Sequence, residues 1–248
     1  MDKHCDNILD LIEKNIFLPS GHLDGNKFAA TDSKELFERN LKKQALDWRY
    51  RTKDITYTLN SNGYRTDEFD SIDWAEAVVI FGCSIVFGVG ITDDETISAT
   101  LSKILDRPVI NMGVCASSVT FATHNALILN RGYPTPKAVV NIWSSIDRSV
   151  FYSKDYVRHA VFEPNEDSFF AQWNKNDCNP QVNALFSQMT NRNLWKDIPY
   201  YEASFFEHTA NCLDCEYIHS VDGGRDLQHP GHITANIVAQ KIAYKLKL

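Results

Sequence analysis

The chain has 248 residues, 44% of them hydrophobic, enough for one sizeable core with a small appendage. Its formal net charge of −7 argues against a nucleic-acid backbone as the main partner, and Lys42-Lys43 and Lys245-Leu246-Lys247 are too short to form a basic patch. No apolar stretch approaches the about 20 residues of a membrane span, and the polar start Met1-Asp2-Lys3-His4-Cys5-Asp6 lacks the basic and apolar parts of a secretory signal, so a cytoplasmic protein is expected.

Residues 6–18 place Ile8, Leu9, Leu11, Ile12 and Ile16 on one face of a helix, which Pro19-Ser20-Gly21 stops. Residues 33–48 read as a second helix, with Leu36, Phe37, Leu41, Ala45 and Trp48 as its apolar face. Ile55-Thr56-Tyr57-Thr58-Leu59 alternates as a short strand, and Asn60-Ser61-Asn62-Gly63 is a turn signal. Residues 1–75 are therefore expected to form an N-terminal extension packed on a main domain at 76–248.

From residue 75 the pattern becomes strand, helix, strand. Residues 77–81 are a continuous apolar run, as in a strand buried on both faces. A helix follows at 95–105 with Ile97, Leu101, Ile104 and Leu105 on one side, its start marked by Asp93, Asp94 and Glu95, whose charge suits the helix dipole. Residues 108–111 predict a second strand, 118–130 a helix and 138–143 a third strand. A strand within 213–219 and a last helix at 231–245, with Ile233, Ile237, Val238 and Ile242 on one face, complete the pattern. Such alternation predicts a parallel sheet covered on both sides, with ligands beyond the C-terminal strand ends. Residues 150–210 stand outside the alternation. They read as an insertion rich in aromatic rings, among them Phe151, Tyr152, Tyr156, Phe162, Phe169, Phe170, Trp173, Phe186 and Trp195, which pack the core or wall a substrate pocket.

Two segments carry candidate chemistry. The apolar run 78–81 breaks into Gly82-Cys83-Ser84, followed by Gly88-x-Gly90. Near the other end the chain reads Asp226-Leu227-Gln228-His229-Pro230-Gly231. A serine hydroxyl needs a base to become a nucleophile, a histidine can be that base, and a carboxylate can orient it. Each residue alone has a plain structural role: Ser84 as a helix N-cap, Asp226 as a turn residue, His229 in a loop. Taken together, in order and at strand ends, with Asn111-x-Gly113 between them, they resemble the SGNH hydrolase superfamily of GDSL-type esterases and lipases. The resemblance covers roughly residues 76–248. Asn60-Ser61-Asn62-Gly63-Tyr64-Arg65 also resembles the Asn-x-x-Gly-aromatic-Arg segment that precedes the catalytic strand in many bacterial and phage members.

The resemblance implies an α/β, flavodoxin-like three-layer α/β/α fold around a central parallel sheet. It implies Ser84 as nucleophile, His229 as base and Asp226 as its orienter, with the N–H groups of Ser84 and Gly113 in the oxyanion hole. The family's third block supplies an asparagine side chain to that hole. Here the strand ends Trp143-Ser144-Ser145-Ile146-Asp147-Arg148, with Ile146 at the asparagine's place, so Ser145, Ser144 or Asn141 is the candidate for the third donor. Cys83 also stands where the family usually has aspartate, and alternation across the turn should point it away from Ser84. An α/β-hydrolase elbow is disfavoured because Val86 occupies the last glycine of G-x-S-x-G.

The expected activity is cleavage of a small-molecule or carbohydrate ester, such as a sugar O-acetyl group, through an acyl-enzyme. An O-acetyltransferase on the same triad and a degenerate binding or structural module are the alternatives. The acid-rich surface disfavours polyanionic polymers as substrates. No cofactor and no metal is expected. The eight histidines include no H-x-x-x-H or H-E-x-x-H pair, Cys212-x-x-Cys215 lacks a second ligand pair, and no glycine-rich phosphate loop is present. His232 and His124 are read as helix-start and packing residues.

Overall fold

An unbroken run of β-branched and aromatic residues can be buried on both faces only at the centre of a sheet, and Val78–Gly82 (β1) occupies that place. The computed structural model describes residues 25–152, 157–161 and 178–248. Its central sheet is parallel, in the order β2-β1-β3-β6-β7, with β2 at Val109–Gly113, β3 at Ala138–Trp143, β6 at Tyr200–Ser204 and β7 at Glu216–Tyr217. Gly82 pairs with Gly113, so β1 and β2 end level at the edge where a ligand is expected.

Alternation along β1 divides the core. Val78 and Ile80 face one layer, with α3 (Ile97–Leu105) and α7 (His232–Leu246). Val79 and Phe81 face the other, with α4 (Val119–Gly132), Trp195 and Leu213. The expected three-layer α/β/α architecture is the one observed. Among the described residues three helices start on side-chain caps: Ser33 accepts from the Leu36 N–H before the helix at Lys34–Lys43, Thr96 from the Ala99 N–H before α3, and Ser118 from the Phe121 N–H before α4.

Several boundaries differ from expectation. The helix expected from 33 is α1, Lys34–Lys43, and a 3-10 turn follows at Arg49–Arg51. Residues 55–59 form no strand; Tyr57 makes a single bridge to Asn26, because the segment reaches no sheet edge. Residues 179–213 continue the alternation rather than interrupt it, through α5 (Asn179–Leu194), β6 and α6 (Glu207–Leu213). The polar residues Ser187, Gln188 and Asn191 form much of the buried face of α5, while Phe186 is 63% exposed, so hydrophobic spacing conceals this helix. On α7, Ile233 and Ile237 are outside, at 49% and 46% exposure. Ala235, Val238, Ala239 and Ile242 face the sheet instead, since small residues allow close approach to α3. A hairpin of β4 (Arg148–Tyr152) and β5 (Val157–Val161) follows β3. The helix expected at 6–18 and the rings Tyr156, Phe162, Phe169, Phe170 and Trp173 lie outside the described residues.

The segment after residue 25 packs a third cluster, in which Ala29, Tyr50, Ile55, Tyr57 and Leu59 close over Phe87 and Val89. It thereby covers the turn that follows Ser84. Among the described residues no helix is long and apolar enough to cross a membrane.

Candidate active site

Ser84 opens α2, a single helical turn at Ser84–Phe87 that follows β1 after one extended residue, Cys83. The turn lies hard against the end of β2: a Cβ on Gly113 would come 2.3 Å from the Phe87 nitrogen. Gly88, with φ +85°, ends the turn, a conformation that glycine adopts without steric cost. The Asn-x-x-Gly-aromatic-Arg segment gains a physical role here. Asn60 Oδ1 accepts the N–H groups of Asn62 and Tyr64 and shapes the turn. Arg65 then donates to the carbonyls of Phe87, Gly88 and Ile91 and pairs with Asp93 at 2.6 Å. One buried guanidinium thus fixes the chain just past Ser84.

His229 and Asp226 lie on the loop between β7 and α7. Gly224 N–H donates to the His229 carbonyl, and the N–H groups of Gln228 and His229 both donate to Asp226 Oδ1. Arg225 N–H donates to the Gly90 carbonyl at 2.8 Å, which brings this loop to the Ser84 turn. The side chains then meet in a line. His229 Nε2 is 2.8 Å from Ser84 Oγ, and His229 Nδ1 is 2.7 Å from Asp226 Oδ2. An ionised carboxylate only accepts, so Nδ1 carries the ring proton and Nε2 is left to accept from the serine hydroxyl. Asp226 is fully buried. Burial pushes its carboxyl up, but the bonds from His229 and Thr31 outweigh that and hold it below the usual carboxylate value.

Thr31 is a contributor that the sequence pattern did not single out. Its hydroxyl donates to Asp226 Oδ2 at 2.6 Å and lies 3.2 Å from His229 Nδ1. Its neighbour Asp32 anchors the segment: Asp32 Oδ1 and Oδ2 accept from Arg225 Nε, and Oδ2 also accepts from Arg225 Nη2 at 2.7 Å and Tyr57 Oη at 2.6 Å. Burial, reinforced by the Asp32 charge, pushes the Tyr57 phenol up, so it stays protonated and can donate. The Arg225 guanidinium also lies over the rings of Phe28 and Phe37. The Thr31–Asp226 and Asp32–Arg225 bonds span 195 and 193 positions, and no local motif announces them.

Apart from the Ser84 N–H, the expected oxyanion donors are engaged elsewhere. Gly113 N–H is donated to Asn111 Oδ1 at 2.9 Å and is not free for a ligand; the glycine is there for packing. Asn141 lies inside the sheet, bonded to the Tyr200 hydroxyl. Ser144 Oγ donates to the Ser117 carbonyl at 2.6 Å, and Ser145 Oγ is engaged with Asp147 and His208. Ile146 is buried. The 114–118 turn offers a different group. Ala116 takes a left-handed φ of +61°, and its N–H has no hydrogen-bond partner among the described residues.

Cys83 is buried, and the His229 bond goes to Ser84 beside it. Burial pushes the Cys115 thiol up to about 12, so it is no thiolate. His124 stacks on Phe121, and burial lowers its imidazole to about 4. His232 opens α7, 3.4 Å from Asp222. Cys212 and Cys215 are free thiols.

Ser84 and His229 open on a cleft of about 730 Å³. Phe205, Phe206, Tyr217 and Ile218 supply its apolar wall, and Arg148 its guanidinium. Compared by sequence, the chain matches no protein-family model and no curated protein. Solved structures do match. A Bacteroides ovatus protein assigned to the GDSL-like lipases is 15% identical over 69% of this chain, with a TM-score of 0.46. An acetyl xylan esterase from Butyrivibrio proteoclasticus is 10% identical over 70%, also at 0.46. A family two carbohydrate esterase from Clostridium thermocellum, in complex with cellohexaose, is 10% identical over 71%, at 0.44. The chain is similar to each of these three structures at low sequence identity. It spans 54%, 65% and 64% of the length of these three structures.

Proposed function

We propose that the protein is a serine esterase of the SGNH type, acting through an acyl-enzyme on Ser84. The observation that carries this reading is the unbroken hydrogen-bonded line from Ser84 Oγ through His229 to Asp226, at 2.8 and 2.7 Å. Ser84 Oγ attacks the ester carbonyl while its proton passes to His229 Nε2. Asp226 holds the imidazole and stabilises its positive charge. His229 returns the proton to the departing alkoxide, leaving an acyl-serine. Water then attacks the acyl carbon, giving its proton to His229, and the carboxylic acid leaves as Ser84 is reprotonated. The Ser84 and Ala116 N–H groups are our candidates for donors to the tetrahedral oxyanion. One such donor is typically worth about 3 kcal/mol of barrier. The substrate is an O-acyl ester, with a sugar acetate the first class to try, because Phe205, Phe206 and Tyr217 offer ring faces in the cleft.

A second reading is a binding module that keeps the fold without turnover. It is favoured by the side chains of Asn141, Ser144 and Ser145, all committed to bonds elsewhere. One experiment separates the two: hydrolysis of 4-nitrophenyl acetate by wild type and Ser84→Ala, with fluorophosphonate labelling. The esterase reading expects labelling at Ser84 and a loss of about a thousandfold or more in kcat for the variant. Unlabelled wild type, or a variant that keeps a tenth of the rate, overturns it.

A further inference from the structure

The cleft beside Ser84 contains a cation that no acid among the described residues neutralises. Arg148 lines the same cleft as Ser84 and His229. Two contacts fix its guanidinium. Nη1 donates to Ser144 Oγ at 3.1 Å, and that hydroxyl is itself tied to the Ser117 carbonyl. The guanidinium carbon also lies 5.3 Å from the centre of the Phe206 ring. Among the described residues no carboxylate lies within ion-pair distance of it.

The nearby acids are occupied. Asp147 bonds Ser145 and faces His208 at 3.1 Å. Asp222, in the wall of the cleft, accepts the N–H groups of Ile233 and Thr234 and the Thr234 hydroxyl, so its charge is spent on the start of α7. A guanidinium has five N–H donors in a planar fork, and one is used here. Holding a half-buried charge unpaired costs free energy unless a ligand supplies the counter-charge.

We propose that Arg148 is a specificity residue for an ester that carries an anionic group, a carboxylate or a comparable oxyanion, a few bonds from the scissile carbonyl. This rests on the esterase reading and narrows its substrate class. The anion takes the open edge of the guanidinium in a bidentate contact, while the ester carbonyl lies at Ser84. One guanidinium among the described residues of the cleft, in a chain of net charge −7, suits one anionic group rather than a polyanionic polymer. The acid can sit on either side of the ester. An acyl chain ending in a carboxylate and an acylated acidic sugar present the same chemistry to Arg148.

The test compares kcat/KM within matched pairs. On the acyl side the pair is mono-4-nitrophenyl glutarate against 4-nitrophenyl butyrate. On the alcohol side it is 4-acetoxybenzoate against its methyl ester. Wild type should prefer the anionic member of one pair by about tenfold or more, the scale of one charge-assisted hydrogen bond. Arg148→Gln should lower that ratio at least tenfold, and Arg148→Lys, which keeps the charge but not the planar fork, should keep only part of it. Because the readout is a ratio, a general loss of activity divides out. Should Arg148→Gln not fold, inhibition of wild-type turnover of 4-nitrophenyl acetate by benzoate and by benzamide decides: benzoate should inhibit at a much lower concentration. Neutral preference in both pairs, a ratio unmoved in Arg148→Gln, or equal inhibition by the two probes overturns the proposal. Ser84-dependent hydrolysis without an anionic preference sinks this inference alone. No Ser84-dependent hydrolysis of any of these esters sinks the esterase reading, and this inference with it.

Discussion

Removal of the Asp32 carboxylate tests whether the segment around Thr31 holds the active loop in place. Asp32 and Arg225 form a buried pair, with side chains 0% and 4% exposed. Asp32→Ala strips Arg225 of the bonds that Nε and Nη2 make to this carboxylate and leaves the Tyr57 hydroxyl without its acceptor. What remains to the guanidinium is the Lys27 carbonyl and the faces of Phe28 and Phe37. Breaking a buried pair in this way typically costs about 3–5 kcal/mol, because the surviving charge is uncompensated. For a chain of this size that is a fall in Tm of roughly 6–20 °C. Arg225 is also the residue before Asp226, so kcat should fall with it, and a misplacement of about 1 Å at a triad residue can cost about a hundredfold. The assay is thermal melting with 4-nitrophenyl acetate turnover for Asp32→Ala, Arg225→Met and the double variant. The double variant should lose less than the two singles combined, by about 1 kcal/mol or more. A single-variant loss under about 1 kcal/mol, or additivity within about 0.5 kcal/mol, would refute the reasoning.

Thr31→Val should lower kcat about tenfold with KM little changed, since it removes one charge-assisted hydrogen bond from Asp226 Oδ2; Thr31→Ser should restore most of the rate. A shift in KM alone would show that Thr31 contacts substrate rather than positioning the acid. Stability should also depend on acid in a defined direction. Asp226, Glu95 and Glu216 all titrate below their ordinary values of 3.8, 4.5 and 4.5. Each favours the folded state above those values, and that contribution is lost as pH falls through and below them. Tm measured from pH 6 to pH 3 should therefore decline below about pH 4.5, and a Tm that rises on acidification contradicts the assignment.

The sheet was legible because burial on both faces leaves continuous apolar runs, as at β1 and β3, and because capping residues precede α3 and α4. Ser84, Asp226 and His229 were legible as a pattern of residue types at strand ends. What could not be read depends on long-range packing. The helix α5 hides its inner face in Gln188 and Asn191, whose amides bond to Leu213 and Thr123 across the interface. Gly113 looks like a donor in the motif, but whether its N–H is free depends on the rotamer of Asn111. Thr31 and Asp32 sit in the polar stretch Ala30-Thr31-Asp32-Ser33, where nothing local distinguishes them from a solvated turn.

The hydrogen bond between Thr31 and Asp226 joins positions 195 apart, so the segment around Thr31 is synthesised long before its partner. A nascent polypeptide released before Asp226–His229 emerges already owns its hydroxyl nucleophile but has neither proton acceptor nor counter-ion. Hydrolytic competence under the proposed mechanism is thus withheld until His229 has been made, and a ribosomal fragment that stops short of Asp226 stays chemically silent.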